Sequence, residues 1–427
     1  MESLFRAQSA RRIVATLALA SSLASAAPPR DDGAASAALR DEVRAVLARN
    51  PAVRAADARL DASEARSQAA GRPLYNPELE LTAENADVDT RSIGISQTID
   101  WSGKRRARES AAAAESRAAS AERDEVRQRV ALDWLRGLAA YRSATERAEA
   151  GAERADLLEQ FASLAERRFR AGDIPVLERD LANLALQEAR AQQAELVAEQ
   201  AKARQALIGV GGTTTSLPPL PSAPPAAPAL APTQLTGLAA VRRAQAEVEA
   251  AEARVTAAER DRRPDPTVSL TGGHVTDGRF NDRLIGITLK VPLFVRNSYS
   301  AEVTAARSSA DAADANQRDV VLRANAEAEQ AAASYAALRD AWAAWQESRA
   351  PSASERAALL QKLWEAGEIN ASDYLVQLKQ SVDTELTAQS LRGRVWDAWA
   401  DWLAASGGLA VWLGLDDASA TAKELRR

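Results

Sequence analysis

Internal duplication is what most constrains this chain. Residues 76–81 (NPELEL) recur as 265–270 (DPTVSL), 92–96 (SIGIS) as 284–288 (LIGIT), and 169–175 (FRAGDIP) as 364–370 (WEAGEIN). The offsets, 192 residues from Gly94 to Gly286 and 195 from Gly172 to Gly367, keep both order and spacing. Between the copies runs SLPPLPSAPPAAPALAP, an extended proline-rich spacer. The expected divisions are a first repeat over 27–212, a linker over 213–235, a second repeat over 236–408 and a tail over 409–427. Within each repeat a helical segment (36–71, then 234–262) leads to two strands (78–85 and 92–99, then 267–274 and 284–291). A long helical run (103–170, then 298–365), a glycine turn and a returning helix (175–208, then 371–405) complete the unit. Pro351 inside the second long run is expected to kink it.

The lengths and composition favour a tall helical structure. A 68-residue helix is about 100 Å long, and the leading and returning helices are each about half of that. One full-length helix thus matches two half-helices end to end. Hydrophobic residues make up 46% of the chain while aromatics are only 4% and charges 26%, a profile of long alanine-rich helices rather than a thick core. Val126, Val130, Trp134, Leu138 and Tyr141, then Leu157, Phe161 and Leu164, recur at helical spacing. That pattern fits a two-stranded coiled coil, or a helix with neighbours on both flanks and water on two faces, as in a hollow barrel. A net charge of -5 gives no footprint for nucleic acid, and without cysteine there are no disulfides or thiolate sites. Residues 1–26, with Arg6, Arg11 and Arg12, an apolar run and Ala24-Ser25-Ala26, read as a secretory signal peptide. No later run is long and apolar enough to span a membrane as a helix, so any spanning must be done by strands.

The strands carry that signal. Leu79, Leu81 and Ala83 alternate with Glu78, Glu80, Thr82 and Glu84, and Ile285, Ile287, Leu289 and Val291 alternate with Gly286, Thr288 and Lys290. This suits a membrane barrel, or a half-buried pair in a soluble sheet. Two features favour the barrel. No third element has enough apolar surface to cover four strands, and Tyr75, Trp101 and Phe294 stand at the helix-proximal strand ends, where an interfacial aromatic girdle belongs. Four strands cannot close, and open edges are forbidden in lipid, so three chains giving twelve strands are expected. The expected fold is mainly α with a small membrane β-barrel part, the barrel continued by a long α-helical one.

With the duplicated helix–strand–strand–long helix–helix unit and glycine hairpin tips in view, the chain resembles the TolC-like outer-membrane efflux proteins over nearly its whole mature length. NPELELTAEN, SQTIDWSGKRRAR and RRPDPTVSL followed by LKVPLFVRN resemble the heavy-metal, CzcC-type branch. The resemblance implies a homotrimeric exit duct in the outer membrane. It would dock onto a periplasmic adaptor (membrane fusion) protein and an inner-membrane pump of the resistance-nodulation-division class, and export heavy-metal cations passively. A duct for organic compounds or for secreted protein is the alternative cargo reading, and a periplasmic coiled-coil adaptor the alternative class. No catalytic residue, cofactor or resident metal is expected. By resemblance, Gly172, Asp173, Ile174 and Pro175, with Gly367, Glu368, Ile369 and Asn370, are the adaptor-docking tips. Read from the residues alone these are tight turns in which glycine permits a left-handed conformation. Asp373 matches a family position lining the closed periplasmic aperture and Glu178 is its counterpart in the first copy. Val376 replaces the family's second acid, and either carboxylate also fits as an N-terminal helix charge.

Lys104, Arg105, Arg106 and Arg108 open the first long helix, where cations oppose the dipole. They fit either a solvated cluster paired with Glu109 or, with Arg296 in the second copy, a set of anchors meeting anionic lipid at the inner face of the membrane. Ser102-Gly103-Lys104 lacks the spacing of a phosphate loop. The lone His274 reads as a solvated strand-end residue, and Trp396, Trp399 and Trp402 as packing against the linker or tail.

Overall fold

The computed structural model describes residues 35–85, 88–215, 217–221, 235–277, 279–348 and 353–415. The expected signal peptide, most of the proline-rich linker, Pro351 and residues 416–427 of the tail lie outside the described residues. The elements in chain order are α1 (Ala37–Arg49), α2 (Pro51–Ala70), β1 (Glu78–Glu84), β2 (Asp89–Thr98), α3 (Lys104–Ala171) and α4 (Val176–Gly209). There follow α5 (Ala239–Asp261), β3 (Thr267–Asp277), β4 (Phe280–Lys290), α6 (Ser300–Glu347), α7 (Ala353–Glu365), α8 (Ala371–Ser406) and α9 (Leu409–Trp412).

Two expected single helices are pairs. The leading segment breaks at Asn50, which is extended (φ -69°, ψ 125°) because the residue before a proline is driven out of the helical region. Pro51 then opens α2, and Asn50 Oδ1 accepts from the amides of Ala52 (2.9 Å) and Val53 (3.4 Å). The second long run is α6 and α7, on either side of residues 349–352, which are not among those described.

The tall arrangement follows from α3, 68 residues without a break. It packs against α2, α4, α5 and α8, which is more than a two-stranded coiled coil provides. α2 and α4 meet end to end beside it: Asn50 Nδ2 donates to the Val210 carbonyl (3.0 Å) and Arg49 Nε to that of Gly211 (2.9 Å). Two cores hold the helices. Near the middle of α3, Val130, Trp134, Leu135 and Leu138 pack with Leu39 and Val43 of α1, Tyr335 of α6, and Trp396, Trp399 and Trp402 of α8. Trp399 stacks on Trp402 (5.4 Å) and meets Trp412 edge-on (6.2 Å), while Leu217 and Leu220 at the start of the linker pack on the same cluster. The tryptophan series is core. Nearer the tips, Phe161 stacks on Tyr374 (4.4 Å) and lies 4.5 Å from Trp364. α6 buries only Val303, Ala328, Ala331 and Tyr335, and α4 leaves Leu177, Leu184 and Val197 exposed, so both helices have an open flank.

Candidate functional site

The strands form one antiparallel sheet in the order β1-β2-β3-β4, the repeats meeting at β2–β3. Residues opposite one another share a face, so the register defines rows. Leu79, Ile95, Leu270 and Ile287 form one row, and Leu81, Ile93, Gly272 and Ile285 the next. Ile285 is 80% exposed and Ile287 76%. The other face carries Glu78, Ser96, Ser269 and Thr288, then Glu80, Gly94, Thr271 and Gly286. This contiguous apolar face is uncovered in the chain, and β1 and β4 each keep an open pairing edge.

Where the sheet meets the helices, the residues expected at the membrane interface part company. Lys104 is not a lipid anchor: its side chain is buried, its Nζ 3.0 Å from Asp265 Oδ2, and Asp265 is itself buried. Tyr75 donates from its hydroxyl to the same oxygen (2.8 Å), and burial, then that hydrogen bond, push its phenol up to about 12. An ammonium without its carboxylate would be costly here, so the three side chains belong together. The dipole conflict at the start of α3 is resolved by Asp100, whose two carboxylate oxygens accept from the amides of Lys104 and Arg105 at 2.8 Å. Burial works against its ionisation, but hydrogen bonds from the amides of Arg105, Lys104 and Gly103 outweigh it and hold the carboxyl below its usual value. Arg105 turns back to the Gly71 carbonyl (3.0 Å) and to Glu109 (3.5 Å), and Arg108 pairs with Asp261 (3.1 Å).

Arg106 and Arg296 alone of the expected basic anchors are exposed with no ion partner among the described residues. Trp101 keeps 67% of its surface exposed while its Nε1 donates to the Pro264 carbonyl (2.6 Å). Phe294 is half-buried, edge-on to Tyr299 at 5.0 Å. The sequence signal for the Lys104–Asp265 pair was Asp265 standing where the first repeat has the neutral Asn76.

The two tips share one geometry. Gly172 (φ 81°) and Gly367 (φ 76°) are left-handed, and the amides that follow them, of Asp173 and Glu368, donate to the carbonyls of Arg168 and Leu363, each at 2.9 Å. Ile174 and Ile369 fold back onto the lower core. Gly172, Asp173, Pro175, Gly367, Glu368 and Asn370 stay exposed, bordered by exposed Val176, Leu177 and Val376. Asn370 caps α8 through the amide of Asp373 (2.8 Å). Glu178 and Asp373 occupy the first turns of α4 and α8 without a cation partner among the described residues. The sequence reading missed the ties between repeats above them. Lys379 pairs with Glu188, and the buried Arg154 reaches Gln192 and Asp383 (3.4 Å). The pairs Lys379–Glu188 and Arg154–Asp383 join residues about 190 to 230 positions apart, beyond any local pattern, while Gln192 holds Arg154 from within the first repeat. Among the described residues no group of three or more His, Cys, Asp or Glu side chains converges as a metal site.

A sheet with one face suited to lipid, continued by a helical column about 100 Å tall, defines the protomer of a membrane duct. The chain belongs to the outer membrane efflux protein family, whose profile matches residues 43–213 and 235–408. It is 31% identical over 260 residues to the cobalt-zinc-cadmium resistance protein CzcC of Cupriavidus metallidurans, a match covering 58% of this chain and 62% of that one. In fold it is similar to the crystal structure of CusC (TM-score 0.70, 16% identity, 87% of this chain and 92% of that one). It is equally similar to the CmeC outer membrane channel of Campylobacter jejuni (TM-score 0.71, 15% identity, 87% and 85%).

Proposed function

We propose that three copies of this chain form the outer-membrane exit duct of a tripartite efflux system of the resistance-nodulation-division class, and that its cargo is heavy-metal cations. The observation that carries the reading is the four-stranded sheet with an apolar outward face and two open edges. Backbone edges cannot stay unpaired in hydrocarbon, and twelve strands close with room for a lumen. The open flanks of α4 and α6 supply the matching helical contacts. Glu78, Glu80 and Glu84 lie on the face opposite the apolar rows, an inner wall congenial to cations. The likeness to a cobalt-zinc-cadmium resistance protein supports the same cargo. The exposed tips, with apolar side chains beside charged ones, suit a periplasmic adaptor that connects to the inner-membrane pump. Glu178 and Asp373 lie close behind those tips and are proposed to line the aperture. Trp101, Phe294, Arg106 and Arg296 remain the proposed anchors at the inner leaflet.

The barrel test contrasts neighbours on one strand. Ile287→Arg puts a charge on the lipid face and costs about 2–4 kcal/mol per chain near the midplane. Thr288→Arg faces the lumen and leaves assembly unchanged. The yield of heat-modifiable trimer in outer-membrane fractions measures both, and equal behaviour of the two variants rules out the strand orientation. Deleting the gene is expected to sensitise cells to cobalt, zinc or cadmium. Sensitivity confined to organic toxicants would transfer the cargo to the alternative class.

A further inference from the structure

The outward face of the sheet ends in a row that the duct does not need. Two residues beyond the last apolar row, the register sets Ala83, Arg91, His274 and Arg283 side by side on the same face. The three basic side chains are exposed and have no partner among the described residues. They span three adjacent strands, about 10 Å in width. From Val291, just beyond the helix-proximal end of β4, to Arg283 is eight residues, about 26 Å along the strand or about 20 Å of height at the roughly 40° tilt of barrel strands, against the roughly 25 Å apolar band of outer-membrane barrels. The row therefore falls in the outer part of that band, where long basic side chains reach the headgroups on the side away from the helices. An arginine is tolerated at that depth and strongly disfavoured deeper in.

The nearby carboxylates are arranged to leave this face basic. Glu84 and Asp282 share a row with Thr90 and Val275 on the opposite, inner face. Asp89 stands on the outward face one row further out, with no ion pair to Arg91. Arginine presents a planar fork that matches phosphate oxygens two at a time. The apolar rows immediately below offer a surface for acyl chains, so the complementary ligand is anionic at its head and apolar below. We infer that Arg91, His274 and Arg283 bind the phosphate of an anionic lipid in the outer leaflet, its acyl chains lying down the rows of Ile93 and Ile285. The inference rests on the membrane-duct reading.

The test is native mass spectrometry of the detergent-purified trimer titrated with phosphatidic acid or with phosphatidylcholine of the same chains. Wild type is expected to retain phosphatidic acid preferentially. Arg91→Gln combined with Arg283→Gln is expected to weaken that retention about tenfold, the effect of one charge-assisted hydrogen bond, while Arg54→Gln on the exposed surface of α2, in the helical column, leaves it unchanged. If the double variant does not assemble, each single variant is expected to lose retention several-fold. Wild-type retention by the variants overturns the proposal, as does displacement of the lipid by inorganic phosphate, which would mark a site for free anions. A normal trimer with no preference for phosphatidic acid sinks this inference alone, whereas failure to recover wild-type trimer from the outer membrane sinks the duct itself.

Discussion

Replacing Asp265 with Ala should lower the protein's stability by about 3–5 kcal/mol, the largest loss expected from any single side chain outside the helical cores. The change strands the Lys104 ammonium, of which only 8% of the side chain is exposed, and takes away the acceptor of the Tyr75 hydroxyl. Much of the loss is the penalty of an uncompensated buried charge rather than the worth of the pair. Replacing both partners, Lys104→Met with Asp265→Leu, should therefore recover most of it, and Tyr75→Phe should cost only about 1 kcal/mol. Urea midpoints of the purified protein measure all three. If the double replacement is as unstable as Asp265→Ala alone, the account by stranded charge fails. If Asp265→Ala is neutral, the pair is not buried in the assembled protein.

The second large effect concerns transport with the fold left intact. Gly172 and Gly367 sit at φ 81° and 76°, with nothing within 4 Å of where a side chain would begin, so backbone conformation rather than space requires glycine. Valine there costs roughly 1–3 kcal/mol at each tip and is relieved only by reshaping the turn. Phe161, Trp364 and Tyr374 anchor three of the four helices beside the tips and α4 joins the same core through Ala182 and Leu186, so the double valine variant should still form trimers. Its cells should lose metal resistance because the reshaped tips no longer fit the adaptor. Asn at both positions, which tolerates the left-handed conformation, should retain most of the resistance. Full resistance in the double valine variant would remove the docking role from the tips.

The parts of the architecture that were legible in the sequence are those with a period or a repeat. Alternation over 284–291 announced a sheet with two unlike faces, and the 68-residue run with its glycine stop announced α3. The break at Asn50-Pro51 was also legible, since a residue before proline resists the helix and asparagine caps the next one. The ion pairs were not. The KRRAR run looked like a patch of uniform positive charge, yet Lys104 turns inward to Asp265, Arg105 back to Gly71, Arg108 across to Asp261, and only Arg106 outward. What separates these four is the 100° step between helix positions combined with partners about 30 to 160 residues away, and neither is encoded in the run itself.

The left-handed residues that precede the two long helices, Gly103 and Tyr299, place Lys104 and Ser300 at equivalent points of the duplicated plan, as the shared proline places Asp265 and Asn76. Within one chain the two halves are therefore clasped by a buried ammonium and carboxylate. Where β4 of one copy would meet β1 of the next, both counterparts are neutral. A ring of three such chains contains six junctions between strand pairs, and the clasp is present at only every second one. In the proposed ring the duplicated halves would thus stand as three bound pairs rather than six equivalent staves, which makes the lines between chains those along which the ring would be assembled and would first come apart.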